Sequence, residues 1–323
     1  MDIAISIIGG LIVLVFGADL LVRGAVRIAE GAGISPLLVG LTIVGFGTST
    51  PELVTSVQGA LSGSPGIAVG NIVGSNIFNI AVILGIAAML TPLAVAETAL
   101  RRDAVLVIAT AALFAAVGWL WTLDRVTGAI FLALLAGYLT WAFRSERQGA
   151  GPTAAGGKEA ALVGADPGTA PLPTRGGWAL PALLVALGLA MLVGGGRSFV
   201  AGSIDLARIM GVSEAVIGLT VVAAGTSMPE LATSILAAFR RQADVALGNV
   251  LGSNIYNILG IGGVTALIAP TEMPAQIVAF DNLVMIGLSV ALMALLATGR
   301  GLSRAEGVLL LAAYLAYAWW LWP

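Results

Sequence analysis

Apolar residues run along the chain in long blocks separated by short polar or Gly/Pro-containing interruptions, and the blocks have the length of membrane crossings. A hydrocarbon core about 30 Å thick needs about 20 apolar residues per helix. That spacing predicts ten spans, over 3–22, 36–61, 65–90, 104–121, 126–143, 178–197, 214–239, 243–269, 280–299 and 305–322. The first block has only Met1 and Asp2 ahead of it and no basic lead, so it reads as a span of the mature protein and not as a signal peptide. One interval breaks the pattern. Residues 144–177 are rich in Gly, Ala, Pro and Thr and lack aromatic residues, the composition of a flexible tether between a first half, 1–143, and a second half, 178–323. The expected fold class is an all-α membrane protein of ten transmembrane helices.

Composition agrees. Of 323 residues, 59% are apolar and 10% charged, against about 25% charged in soluble domains, and the mean hydropathy is +1.02. A soluble fold is excluded. With no His and no Cys, imidazole catalysis, thiol chemistry, disulfides and His/Cys zinc sites are excluded as well. The net charge of −2 gives no footprint for nucleic acid. The distribution of charge says more. Twelve basic residues (Arg23, Arg27, Arg101, Arg102, Arg144, Arg147, Lys158, Arg175, Arg240, Arg241, Arg300 and Arg304) fall in one set of connections, and three (Arg125, Arg197 and Arg208) in the other. The positive-inside rule makes the first set cytoplasmic, with both termini outside and the linker inside, in a cell (inner) membrane.

The chain also repeats itself. Slid along itself until Gly40 lies on Gly218, it is identical at 22 of 41 positions, Gly40–Ile80 against Gly218–Ile258, without a gap. Five predicted spans lie within that offset, an odd number, so the copies cross the membrane in opposite directions. Inverted repeats are the architecture of secondary transporters, whose substrate sites lie at the midplane where the repeats meet.

Within the repeat sits a polar stripe. Gly47-Thr48-Ser49-Thr50-Pro51-Glu52 recurs as Gly225-Thr226-Ser227-Met228-Pro229-Glu230 in the middle of the second and seventh spans. A carboxylate at that depth costs several kcal/mol unless neutralised. No Lys or Arg lies between Ile28 and Leu100 or between Ile209 and Phe239, which leaves a bound cation or a proton as the natural counter-charge; the alternative is an Arg from a distant span, such as Arg197. Pro51 and Pro229 cannot donate to the carbonyls of Gly47 and Gly225, so each helix is broken one turn before its glutamate, and carbonyls over 45–48 and 223–226 need other partners. The third and eighth spans carry Gly70-Asn71-Ile72-Val73-Gly74-Ser75-Asn76-Ile77-Phe78-Asn79 and Gly248-Asn249-Val250-Leu251-Gly252-Ser253-Asn254-Ile255-Tyr256-Asn257. The GxxxG spacing suits close helix packing, and Asn71 and Asn249 suit either interhelical hydrogen bonds or ligation. Every candidate donor is an oxygen, a set that selects hard cations such as Ca²⁺ and Na⁺. The two glutamates together offset one Ca²⁺.

These motifs resemble the two α-repeats of the cation/Ca²⁺ exchanger superfamily, in its prokaryotic Na⁺/Ca²⁺ exchanger branch. The resemblance covers the whole chain in span count and the two repeated segments in motif. It implies Glu52 and Glu230 as the central Ca²⁺ carboxylates, with the Thr48 and Thr226 carbonyls. Na⁺ would use the same glutamates with Ser49, Ser75, Ser227, Ser253 and the backbone at Gly45 and Ala223; Asn79 and Asn257 would occupy the central positions of the third and eighth helices. Relatives of the H⁺/Ca²⁺ type carry an Asn-Ala type sequence before the acid where this chain has Thr-Ser-x-Pro, which leans the coupling ion toward Na⁺. Several relatives, K⁺-dependent ones included, have Asp at the position of Asn257, which argues against K⁺. The expected function is therefore Na⁺/Ca²⁺ antiport, with H⁺/Ca²⁺ or K⁺-dependent antiport and a cation channel as alternatives. No resident cofactor and no protein partner are expected. An intramembrane hydrolase using Ser49 or Ser227 would have neither His nor a nearby Lys as base.

Overall fold

In the computed structural model, residues 3–31, 45–94, 97–147, 179–241, 243–299 and 301–322 are described. The start of the second predicted span and all but the first few residues of the 144–177 linker lie outside them. The described chain is helical nearly throughout. The helices are α1 (Gly10–Gly31), α2 (Thr50–Leu61), α3 (Pro65–Leu90), α4 (Glu97–Leu120), α5 (Arg125–Arg147), α6 (Ala179–Met210), α7 (Glu214–Thr226), α8 (Met228–Phe239), α9 (Val245–Ile268), α10 (Ile277–Ala297) and α11 (Arg304–Leu321). Seven described helices are long and apolar enough to cross a membrane, and α7 with α8, bent by 50° at Ser227, forms an eighth candidate. Two short pairings tie the ends of the bundle. Leu93–Ala94 pairs antiparallel with Gly301–Leu302, and Leu123 bridges Thr271.

At the centre lie α3 and α9. Their side chains are buried on all sides, from Ile67 to Leu84 and from Ala246 to Ile261, because neighbouring helices cover them, chiefly α2, α7 and α11 around α3 and α5 and α8 around α9. Small residues permit the approach. A Cβ on Gly74 would come within 2.6 Å of the Leu219 Cα, and one on Gly70 within 3.0 Å of the Gly218 Cα, so this GxxxG pair seats α3 against α7. Each central helix widens into a π-turn, at Asn79–Ile83 in α3 and at Tyr256–Gly262 in α9. Such turns release the local i→i−4 pairing and recur at functional sites. They begin at or beside Asn79 and Asn257, which are themselves counterparts in the repeat.

At the rim, α1 and α6 pack antiparallel along their lengths. Gly10, Gly17 and Gly24 on one, and Gly188, Gly195 and Gly202 on the other, recur once every two helical turns. An added Cβ on Gly17 would lie 3.1 Å from the Gly188 carbonyl oxygen, and one on Gly195 would lie 2.9 Å from that of Gly10. The two backbones are therefore in direct contact, while Phe16, Leu183 and Leu187 on the outer faces stay exposed. Both helices outrun their predicted spans, α1 ending at Gly31 and α6 at Met210. Arg23, Arg27, Arg197 and Arg208 thus lie on helix and not in connections. A ruler of about 20 residues measures the bilayer, whereas helices continue into polar surroundings wherever polar side chains find local partners. On these extensions Arg23 pairs with Asp19, one turn back inside the predicted span, at 2.8 Å, and Asp205 pairs with Arg208 at 3.1 Å.

Candidate cation site

The two broken helices meet at the centre. Ser49 and Ser227, the residues at the breaks, have nearly the same backbone angles, φ −84°, ψ 7° and φ −82°, ψ 9°, as two copies of one motif broken by one proline should. Helix resumes at once: Leu53 N–H donates to the Ser49 carbonyl and Leu231 N–H to the Ser227 carbonyl, both at 3.0 Å. Glu52 and Glu230 therefore sit in the first turns of α2 and α8, where helix N-termini favour negative charge.

The glutamates are cross-wired. Ser49 Oγ donates to Glu230 Oε1 at 3.0 Å, and Ser227 Oγ donates to Glu52 Oε1 at 3.0 Å. Each carboxylate is thus held by the break of the other helix. Both glutamates are 1% exposed, so Arg197, which is exposed on α6, is not their counter-charge. Behind them, Asn71 donates to the Glu52 carbonyl oxygen at 3.1 Å and to Ser56 Oγ at 2.9 Å. Asn249 does the same for Glu230 and Ser234, at 3.2 and 2.8 Å, and reaches Thr233 Oγ1 at 2.9 Å. These amides fasten each broken helix to its central partner, the hydrogen-bonding one of the two roles their position allows.

Thr48, Thr226, Ser49, Ser227, Ser75, Ser253, Asn79 and Asn257 are all buried in α3, α9 or beside the breaks. Asn79 Nδ2 donates to Asn254 Oδ1 at 3.0 Å, and Asn254 Nδ2 donates to the Asn76 carbonyl oxygen at 3.4 Å. Several oxygens in this group have no hydrogen-bond partner among the described residues: Ser75 Oγ, Asn79 Oδ1 and Asn257 Oδ1. Buried acceptors without partners are costly, and a hard cation is the ligand that suits them. Ala223 is buried; its carbonyl oxygen accepts from Ser227 N–H at 3.0 Å, and its second lone pair could still face a cation. Gly45 lies in the short helical turn Gly45–Gly47 just before the first break. Asn76 and Asn254, inside the same repeated motif, also belong to the centre; their place in the identical Gly-Ser-Asn triplets is the signal that marks them. Across the bundle, a further buried acid, Asp281 of α10, accepts from Tyr317 of α11 at 2.8 Å.

The sodium/calcium exchanger protein family matches residues 3–144 and 180–322, nearly everything outside the linker. The chain belongs to that family. Among its relatives, the exchanger is 34% identical to the sodium/calcium exchanger MaX1 of Methanosarcina acetivorans over 95% of each chain. It is 36% identical to the inner membrane protein YrbG of Escherichia coli, over 98% of this chain and 97% of the other. Its fold matches the solved sodium-calcium exchanger NCX_Mj with a TM-score of 0.59 at 30% identity, covering 96% of each chain. The exchanger is a membrane protein of a cation/Ca²⁺ exchange family, which moves ions and is not an enzyme family.

Proposed function

We propose that this exchanger is a secondary antiporter that trades Na⁺ for Ca²⁺ by alternating access. Its architecture would be ten spans in two inverted five-helix repeats, 1–143 and 178–323, joined by a cytoplasmic linker, with both termini outside. The observation that carries the reading is the reciprocal pair of Ser–Glu hydrogen bonds, which ties the two breaks into one buried, all-oxygen centre. Glu52 and Glu230 together supply −2, which one Ca²⁺ offsets. The Thr48 and Thr226 carbonyls would complete the Ca²⁺ shell. Na⁺ would use the glutamates with Ser49, Ser75, Ser227 and Ser253 and the backbone at Gly45 and Ala223, while Asn79 and Asn257 contribute amide oxygens.

Uncharged oxygens hold Na⁺ well, and hydroxyls beside a shared carboxylate let several Na⁺ replace one Ca²⁺ without both ions fitting at once. That mutual exclusion is the chemical basis of exchange: either load covers the carboxylates for passage, and the empty centre, with exposed negative charge in a low dielectric, does not cross readily. The test is Ca²⁺ uptake into proteoliposomes under Na⁺, H⁺ or K⁺ gradients applied one at a time. Uptake driven by an outward Na⁺ gradient alone is expected. Drive by H⁺ alone would reassign the coupling ion, a K⁺ requirement would place the chain with K⁺-dependent exchangers, and uptake down a Ca²⁺ gradient without any counter-ion would make it a channel.

A further inference from the structure

The two halves of the centre are alike in some contacts and opposite in others. The Ser–Glu crossings and the Asn71 and Asn249 bonds to the glutamate carbonyls occur in both copies. Two contacts between side chains of different copies occur, among the described residues, in only one sense. Thr226 Oγ1 lies 3.0 Å from Asn71 Oδ1, sharing its proton with the Val222 carbonyl oxygen, also at 3.0 Å. The contact that the repeat would pair with it, Thr48 to Asn249, is not made: Thr48 Oγ1 and Asn249 Oδ1 are both buried without a partner among the described residues. Likewise Asn79 Nδ2 donates to Asn254 Oδ1 at 3.0 Å, whereas in its counterpart Asn257 Nδ2 and Asn76 Oδ1 are both buried and unpartnered among the described residues. In each case the unmade bond leaves its donor and its acceptor vacant together.

We infer that these four pairs form a reversible latch: Thr226–Asn71 and Asn79–Asn254 hold the access state seen here, and Thr48–Asn249 and Asn257–Asn76 hold the opposite one. This rests on the alternating-access reading above. Every bond of the latch runs between the two copies, Asn71 and Asn79 of α3 reaching α7 and α9 respectively, so relative movement of the copies can break or make it, whereas the two Ser–Glu crossings, which also run between copies, are each other's counterparts and map onto one another when the copies exchange roles. Bonds within a copy, such as Asn71 to the Glu52 carbonyl, need not change. The repeat supplies the reason for the vacant atoms. Four buried polar atoms left open in one state are a standing cost, and a movement that closes them opens Asn71 Oδ1, Asn79 Nδ2 and Asn254 Oδ1 in their place, the Thr226 hydroxyl keeping the Val222 carbonyl. The exchange is like for like, two hydrogen bonds for two, so it leaves the states close in energy. A carrier needs that balance, because a strongly favoured state would reduce the apparent affinity at the other face in proportion to its rarity. The centre thus separates two jobs between the symmetric contacts, which hold the carboxylates in both states, and the asymmetric ones, which tell the states apart.

Valine in place of threonine removes the hydroxyl but keeps the shape and the main-chain carbonyl. Amide hydrogen exchange of the full-length protein in nanodiscs, in ion-free buffer, reads the access equilibrium without requiring transport. Thr226→Val should speed exchange at one mouth of the centre and slow it at the other, by about two- to tenfold, the range for one neutral hydrogen bond. Thr48→Val should do the reverse, and the double variant should return toward wild type. Asn254→Ala against Asn76→Ala offers the same opposition at the second pair. Shifts in the same direction for Thr226→Val and Thr48→Val, or unchanged exchange in both, would overturn the latch. A wild type lacking Na⁺-driven Ca²⁺ uptake would instead sink the proposed exchange reaction, and the reciprocal exchange pattern would still decide the latch.

Discussion

The central helices and the rim pair look alike to a hydropathy scan and behave as opposites. Helices α3 and α9 are buried along most of their length, whereas less than a third of the first helix and of α6 is buried. In water the buried helix is the apolar one. In a bilayer both surroundings are apolar, so the interior is marked by what lipid rejects: Asn71, Ser75, Asn76 and Asn79 in α3, and their counterparts in α9, all buried. The rim helices carry no asparagine and make their joint instead by removing side chains, with glycine against glycine. One pair is held by hydrogen bonds that fix register and the other by backbone contact that has little to interlock. Polar glue therefore goes where geometry must be exact for an ion, and bare backbone where only proximity is needed.

Substitutions can break this contrast at its strongest point first. Glu52→Gln or Glu230→Gln removes charge from the centre without changing its volume, and Ca²⁺ transport should be abolished while the protein still inserts and purifies. Vesicle uptake and gel filtration together check it, and near-normal uptake by either variant would refute the assignment. Next comes the rim. A Cβ at Gly188 would stand 2.6 Å from the Leu21 nitrogen, whereas one at Gly194 meets nothing within 4 Å. Gly188→Leu should lower stability by about 1–3 kcal/mol, the range for overpacking, and Gly194→Leu should leave thermal unfolding in detergent unchanged. If the two behave alike, the seam is not a backbone contact.

A third expectation concerns the fastening amides. Asn249→Ala leaves the Glu230 carbonyl and two hydroxyls with one donor fewer, which should cost about 1–3 kcal/mol of stability. Thermal unfolding without ions would register it, and a loss confined to ion-bound protein would mean that Asn249 is a ligand instead. The gentlest change is Asn257→Asp. It adds a carboxyl to a buried centre, where desolvation favours the protonated form, so Na⁺-driven uptake should gain a pH dependence absent from the wild type. Parallel pH profiles for the two would place Asn257 away from the ions.

Much of this was legible before any coordinates. Pro51 and Pro229 announce the breaks that the structure places at Ser49 and Ser227, because a missing N–H is a local fact. The 22 identities at one offset mark the residues that converge, since a duplicated polar stripe in apolar helices has little other use. The pairing of Ser49 with Glu230, not with its neighbour Glu52, was beyond reach, as was the unequal state of the two halves: a repeat has one sequence pattern, and which copy is engaged is a property of conformation. The π-turns left no trace either, for they need an extra residue in a turn and no special composition. The rim seam did leave one. Gly10, Gly17 and Gly24 reappear at that same offset as Gly188, Gly195 and Gly202, a period that apolar counting overlooks because glycine neither adds to nor subtracts much from it.

The bond between Asp281 and Tyr317 also bears on how the protein is made. The acid and its hydroxyl donor stand on different helices, far apart along the chain, so α10 leaves the ribosome carrying a carboxyl that has its neighbour Gln276 but not yet Tyr317. A lone segment bearing an acid enters lipid less readily than its apolar neighbours. Burial of the Asp281 carboxyl therefore couples α10 to α11, so that docking of α10 is completed only when α11 is in place.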